Sequence, residues 1–343
     1  MKRILLALGM LAAASAPALA CPHRRYDLVL PAVEIRPGVR MNLHATVFIR
    51  AGQPCNGSLG FAIHGMLHTA ATWDRMADEL FDHKPAPWEP CGLVALDMPG
   101  HGGSVLPASI WLGSLTLQDY VSAIVGALDK LRELHIHPDT WFAHSLGGLT
   151  TQMVQQRLIS QGTNLRKAYG IRDVVLLASA TPQQVPCYAI DSGMLSQIVM
   201  NFAQIDPAAG SISISDTVWS WMFFAPDPTN PLLVVPGAPT PAEVNARHYN
   251  AAETIGVVAA LSSRPGVDKG IFAPAHGTAL TLVTYEADVV IRPQESQALY
   301  TYLTGDTGDT RFVLVHGWNA IHDTHISNPA LLIDSLRALV RFP

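Results

Sequence analysis

From residue 61 onward, short apolar runs alternate with longer stretches of helical period. The runs at 61–64, 93–97, up to His144, 174–178, 280–284 and 312–315 carry almost no polar residue and predict strands. Between them, 117–134 places Val121, Ile124, Val125, Leu128 and Leu131 on one face of a predicted helix. Further helices are expected around 73–81, 146–159, 294–303 and 329–340, and antiparallel strands at 26–30 and 43–49 join across Pro37-Gly38. Strand and helix in alternation predict an α/β chain: a mostly parallel sheet with helices on both faces. The rhythm breaks between 181 and 270. Proline-rich turns there accompany Met194, Met200, Phe202, Trp219, Trp221, Met222, Phe223 and Phe224. That stretch is expected to be a cap inserted in the core, with most of its aromatics forming its own small core and a few facing a pocket.

Composition changes the picture at the amino terminus. Lys2 and Arg3, an apolar stretch over 4–14, and Ala18-Leu19-Ala20 make residues 1–20 an expected signal peptide, cleaved after Ala20. Ala18 stands where a lipoprotein signal carries leucine, which favours simple export to the periplasm or medium over lipid anchoring at Cys21. The remaining roughly 320 residues suit one large domain with an insertion: core over 21–180 and 271–343, cap over 181–270. A net charge of -5, 14% charged residues and no basic cluster argue against a nucleic-acid surface, and no later run is long enough to span a membrane. Four cysteines in an oxidising compartment allow three pairings; Cys55 and Cys91 each precede a predicted parallel strand, which favours Cys55–Cys91 and leaves Cys21 with Cys187.

Candidate chemistry centres on Ala143-His144-Ser145-Leu146-Gly147. A serine between a strand and a helix, with small residues two before and two after, predicts a sharp turn that lifts its hydroxyl out of the sheet. Such a serine needs a base, and the base needs a third group to orient it. The acid is expected after the strand at 280–284, where Asp288 is favoured over Glu286. The base is expected after the last strand, where His322 is favoured over His316 and His325. Backbone N–H groups of Met66 and Leu146 are the expected oxyanion donors. Leu67, His144, Trp219, Met222, Phe223 and Trp318 are candidate pocket residues. His322 and His325 have H-x-x-H spacing without an evident third ligand, so no metal or other cofactor is expected.

The chain here resembles the α/β-hydrolase superfamily over nearly all of its mature length. The resemblance rests on His64-Gly65 with Trp73 downstream, on 97–104 (Asp97-Met98-Pro99-Gly100-His101-Gly102-Gly103-Ser104), on the elbow at Ser145, and on the Asp288 and His322-to-Pro329 loops. It departs in Ala143, in Ile321 before the histidine, and in Glu286-Ala287. It implies an eight-stranded sheet with a mainly helical cap after strand 6, and structural roles for His144, His101 and Asp97. It also implies a serine hydrolase using Ser145, His322 and Asp288 on a small-molecule substrate. An ester or lactone with an apolar part is the leading expectation. An aminopeptidase-like amidase, with Glu243, Glu253 or Asp191 holding a free amine, is the alternative, as is a cofactor-free perhydrolase. A catalytically silent binding protein on the same fold is the reading from another class.

Overall fold

The computed structural model describes residues 23–51, 58–82, 89–185, 203–214, 253–306 and 311–340. In chain order the core begins with β1 (His23–Arg36), β2 (Val39–Arg50), β3 (Leu59–Ile63), helix α1 (Asp74–Asp82) and β4 (Gly92–Leu96). Helix α2 (Leu117–Glu133), β5 (Pro138–His144), α3 (Leu146–Ser160), the short α4 (Leu165–Tyr169) and β6 (Asp173–Leu177) follow. The insertion contributes β7 (Ala203–Asp206), β8 (Ser211–Ile214), β9 (Glu253–Thr254) and α5 (Ile255–Ser263). The core resumes with β10 (Ala279–Tyr285), α6 (Pro293–Thr304), β11 (Phe312–Val315), α7 (Thr324–Ser327) and α8 (Pro329–Val340).

The main sheet has eight strands in the order β1-β2-β4-β3-β5-β6-β10-β11. The β1–β2 and β2–β4 pairs are antiparallel and every other pair is parallel. Gly38, at φ 76°, closes the β1–β2 turn where a side chain would be strained. Successive residues of the parallel strands pack into opposite layers, which explains the uninterrupted apolar runs. Phe61, Ile63, Val94, Leu96, Trp141, Ala143, Val174, Leu176, Leu280 and Leu282 meet α2, α3 and α6 on one face. Ala62, Leu93, Ala95, Phe142, Val175, Leu177, Val283 and Tyr285 meet α1 and α8 on the other. Local signals fix the helix starts. Thr116 and Asp119 form a reciprocal capping box at α2, an arrangement that contributes about 1 kcal/mol, and Pro293 opens α6.

Only part of the insertion expected over 181–270 lies among the described residues. Its described part is a three-stranded antiparallel sheet, β7-β8-β9, leading into one helix, α5. Four-residue strands such as Ser211–Ile214 are too short to show a clear alternation in sequence. β3 and β4 are parallel neighbours with Leu59 opposite Gly92. Cys21, Cys55 and Cys187 lie outside the described residues, as do Trp219, Met222 and Phe223. Among the described residues no helix is long and apolar enough to cross a membrane.

Candidate active site

Four loops at the carboxyl ends of β3, β5, β10 and β11 converge. At the end of β5 the chain turns within one residue: Ser145 has φ 50° and ψ -115°, a conformation costing a non-glycine residue about 1–3 kcal/mol. Backbone hydrogen bonds hold it there. Ser145 N–H donates to Leu177 O (3.0 Å), and Ser145 O accepts from Gly148 N–H (2.9 Å) and Ala180 N–H (3.0 Å). A Cβ on Gly147 would stand 2.6 Å from the carbonyl oxygens of Ile63 and His64, so only glycine fits. Ala143 is tolerated where related turns carry glycine because its methyl points into the α2/α3 layer. Leu146 is the first residue of α3, where an amide has no helical acceptor.

The β3 loop is clamped by its own histidines. His64 Nδ1 donates to Gly65 O (2.8 Å) while His64 Nε2 accepts from Met98 N–H (3.1 Å), which fixes the tautomer. Burial, helped by the nearby His101, lowers the His64 pKa to about 3 and keeps it neutral. His68 Nδ1 donates to Met66 O at 2.8 Å. Among the described residues no acceptor is found for Met66 N–H. Gly65 must lack a side chain, since a Cβ would lie 2.7 Å from His144 Nδ1 and 3.2 Å from Ser145 Cβ. Asp97 organises its own turn, accepting from Ala70 N–H (2.6 Å), Gly103 N–H (2.9 Å) and His44 Nδ1 (2.7 Å).

His322 and Asp288 are buried and joined by a 2.9 Å bond from Nδ1 to Oδ2. The other oxygen of Asp288 accepts from Val290 N–H (2.8 Å) and Ile291 N–H (2.9 Å), so the carboxylate cannot rotate freely. Burial opposes a charge on His322, but the field and hydrogen bond of Asp288 outweigh it and raise the pKa above 6.5. The alternatives fall elsewhere. Glu286 is exposed, accepts from Gly317 N–H at 2.8 Å and faces His316 at 3.5 Å. His325 is buried, with its ring 5.2 Å from Trp73 and 4.3 Å from His144.

Behind His322 lies a second polar group that sequence reading did not find. His144 Nε2 donates to His322 O (3.1 Å) and lies 3.4 Å from Asp323 Oδ1, and His68 Nε2 lies 3.5 Å from Asp323 Oδ2. All three side chains are buried. Burial and then the neighbouring histidines push the His144 pKa well down. Burial works against the Asp323 charge, yet His68 and the other histidines lower its pKa below the usual value. Ligand atoms of His68, His144 and Asp323 fall within 4.8 Å of one another, and two histidines with a carboxylate are a zinc-like donor set. One nitrogen of each ring is engaged by backbone, His68 Nδ1 by Met66 O and His144 Nε2 by His322 O, and Asp323 lies closest to His68 Nε2 and His144 Nε2. The group therefore reads as a charge and hydrogen-bond layer under the site. The only hint in sequence was an acid directly after His322, too common a feature to single out.

Of the expected pocket residues, Leu67 is 1% exposed and His144 is fully buried. Trp318 is 56% exposed, on the loop after β11.

The comparisons agree with this architecture. Bromoperoxidase from Bacillus anthracis superposes with a TM-score of 0.60 at 15% identity, over 92% of this chain and 99% of that one. An esterase from Exiguobacterium antarcticum gives 0.60 at 13%, over 91% and 98%. Naproxen esterase from Bacillus subtilis gives 0.57 at 15%, over 94% and 93%. Identities this low speak for the fold alone. No curated protein sequence matches the chain. A family model described as alpha/beta hydrolase family matches residues 61–335, which includes every loop of the site. The chain belongs to the α/β hydrolase family.

Proposed function

We propose that this hydrolase is an exported serine esterase acting through an acyl-enzyme, with Ser145 as nucleophile, His322 as base and Asp288 as the acid that orients it. The observation that carries the reading is the buried 2.9 Å Asp288–His322 bond, together with a strained elbow serine at the end of β5. With Asp288 on Nδ1, Nε2 takes the serine proton, and the carboxylate stabilises the imidazolium that forms. The N–H groups of Met66 and Leu146 receive the carbonyl oxygen as it becomes an oxyanion; each such donor contributes about 3–4 kcal/mol to the transition state. Water activated by the same histidine then releases the acid. The signal-like residues 1–20 support export to the periplasm or medium.

An apolar ester or lactone is the preferred substrate class, given the aromatic-rich sequence of the insertion. The amidase alternative loses one of its three anchors. Glu253 is 1% exposed and already accepts four hydrogen bonds, so it has no capacity for a substrate amine. A matched set of p-nitrophenyl esters and aminoacyl p-nitroanilides tests the assignment. Ester turnover with a pre-steady-state burst is expected; turnover of the anilides alone would overturn it.

A further inference from the structure

Among the described residues of the insertion, one charged side chain enters the core. Glu253, on β9, is 1% exposed and reaches between the β3 loop, the turn at 97–104 and α2. One oxygen, Oε2, accepts from Leu67 N–H at 3.1 Å and from His101 Nε2 at 3.0 Å. The other, Oε1, accepts from the Tyr120 hydroxyl at 2.9 Å and from Thr254 N–H at 2.9 Å. His101 Nδ1 faces Pro99 O at 3.2 Å, so both ring nitrogens of His101 face acceptors and both carry protons. Burial opposes the charges of this pair, but each partner outweighs it for the other. Glu253 is lowered to about 2 and His101 is raised. β9 is itself seated on the core, where Thr254 Oγ1 donates to Leu112 O at 2.8 Å.

Leu67 is the residue for which this matters. Its φ is 64°, a left-handed conformation that a leucine resists. The peptide joining Met66 to Leu67 is held at both ends: its carbonyl by His68 Nδ1 (2.8 Å) and its N–H by Glu253 (3.1 Å). The preceding peptide, which carries Met66 N–H, has its carbonyl held by His64 at 2.8 Å. The direction of Met66 N–H therefore depends on a loop whose strained residue is fastened by the insertion. We propose that Glu253 is a positioning residue that sets the oxyanion-binding backbone at Met66 through its bond to Leu67, making the insertion part of the catalytic machinery. This rests on the serine-esterase reading above.

The four donors make a specific demand. A carboxylate only accepts, which matches all four, whereas the amide of glutamine turns an N–H₂ toward either Leu67 N–H or Thr254 N–H. The test measures steady-state kinetics on p-nitrophenyl butyrate for the full chain and for Glu253→Gln, with active sites counted by fluorophosphonate titration. Expected is a fall in kcat of about 10- to 100-fold with KM within about threefold, less than the roughly 10²- to 10³-fold loss on removing one oxyanion donor outright. Affinity for an alkylboronic acid should weaken by the same factor as kcat, and affinity for butyrate should be unchanged. Glu253→Asp, one methylene shorter, should show the same split more weakly. It carries the test if the glutamine variant is not recovered folded.

An unchanged kcat per titrated site, or a loss confined to KM, overturns the proposal. Recovery of neither variant as a folded protein also overturns it, assigning Glu253 to stability alone. Failure of the esterase reading looks different: the unaltered protein would then show neither ester turnover nor labelling at Ser145.

Discussion

Two buried aspartates flank the same histidine and are built differently. Asp288 makes three hydrogen bonds of 2.8–2.9 Å, two from backbone amides and one from His322. Asp323, next to His322 in sequence, has its oxygens 3.4 and 3.5 Å from the nitrogens of His144 and His68. The first geometry fixes direction; the second supplies a field and fills space with compatible charge. Burial alone therefore does not mark an orienting acid. What marks it is a short bond to the reacting base together with independent backbone bonds that hold the carboxylate still.

Breaking each aspartate in turn should separate these roles. Asp288→Asn removes the charge that stabilises the imidazolium and favours the wrong tautomer, and should lower kcat by about 10⁴-fold. Its far-ultraviolet spectrum should match the unaltered protein, because the backbone bonds to the side-chain oxygen survive. Asp323→Asn should leave kcat within about tenfold and cost about 1–3 kcal/mol of stability, read from denaturant midpoints, as expected when a buried polar group loses its partners.

A pH profile sharpens the same contrast. As the proposed base His322 acts in its neutral form, and its pKa is raised above 6.5 against the effect of burial, first by Asp288 and less by Asp323. kcat/KM should therefore rise with pH through a midpoint above 6.5. Removing either negative charge lowers that midpoint, further for Asp288→Asn than for Asp323→Asn. The smallest effect is expected at the exposed acid. Glu286→Gln should change stability by no more than about 0.5 kcal/mol and leave kcat unchanged, because among the described residues its carboxylate meets Gly317 N–H and His316.

The sheet was legible because strands such as β5 and β6 are apolar on both faces and bounded by helical stretches, so period and composition agree. β10 and β11 end where the loops of Asp288 and His322 begin, and that order let a serine, an acid and a histidine be ranked before any distance was known. Contacts across the chain were not legible. Glu253 meets Leu67 from 186 positions away, in a segment whose short strands leave no periodic trace. The His68–His144–Asp323 layer joins three loops and depends on side-chain directions that spacing does not specify. The left-handed φ of Leu67 and its burial were likewise not legible in the sequence.

The central claim is that Ser145 is the nucleophile activated by His322. Intact-mass and peptide mapping after treatment with a fluorophosphonate test it most directly. One adduct per chain on Ser145 is predicted, absent in Ser145→Ala and strongly slowed in His322→Ala. Full labelling of the Ser145→Ala protein would contradict it.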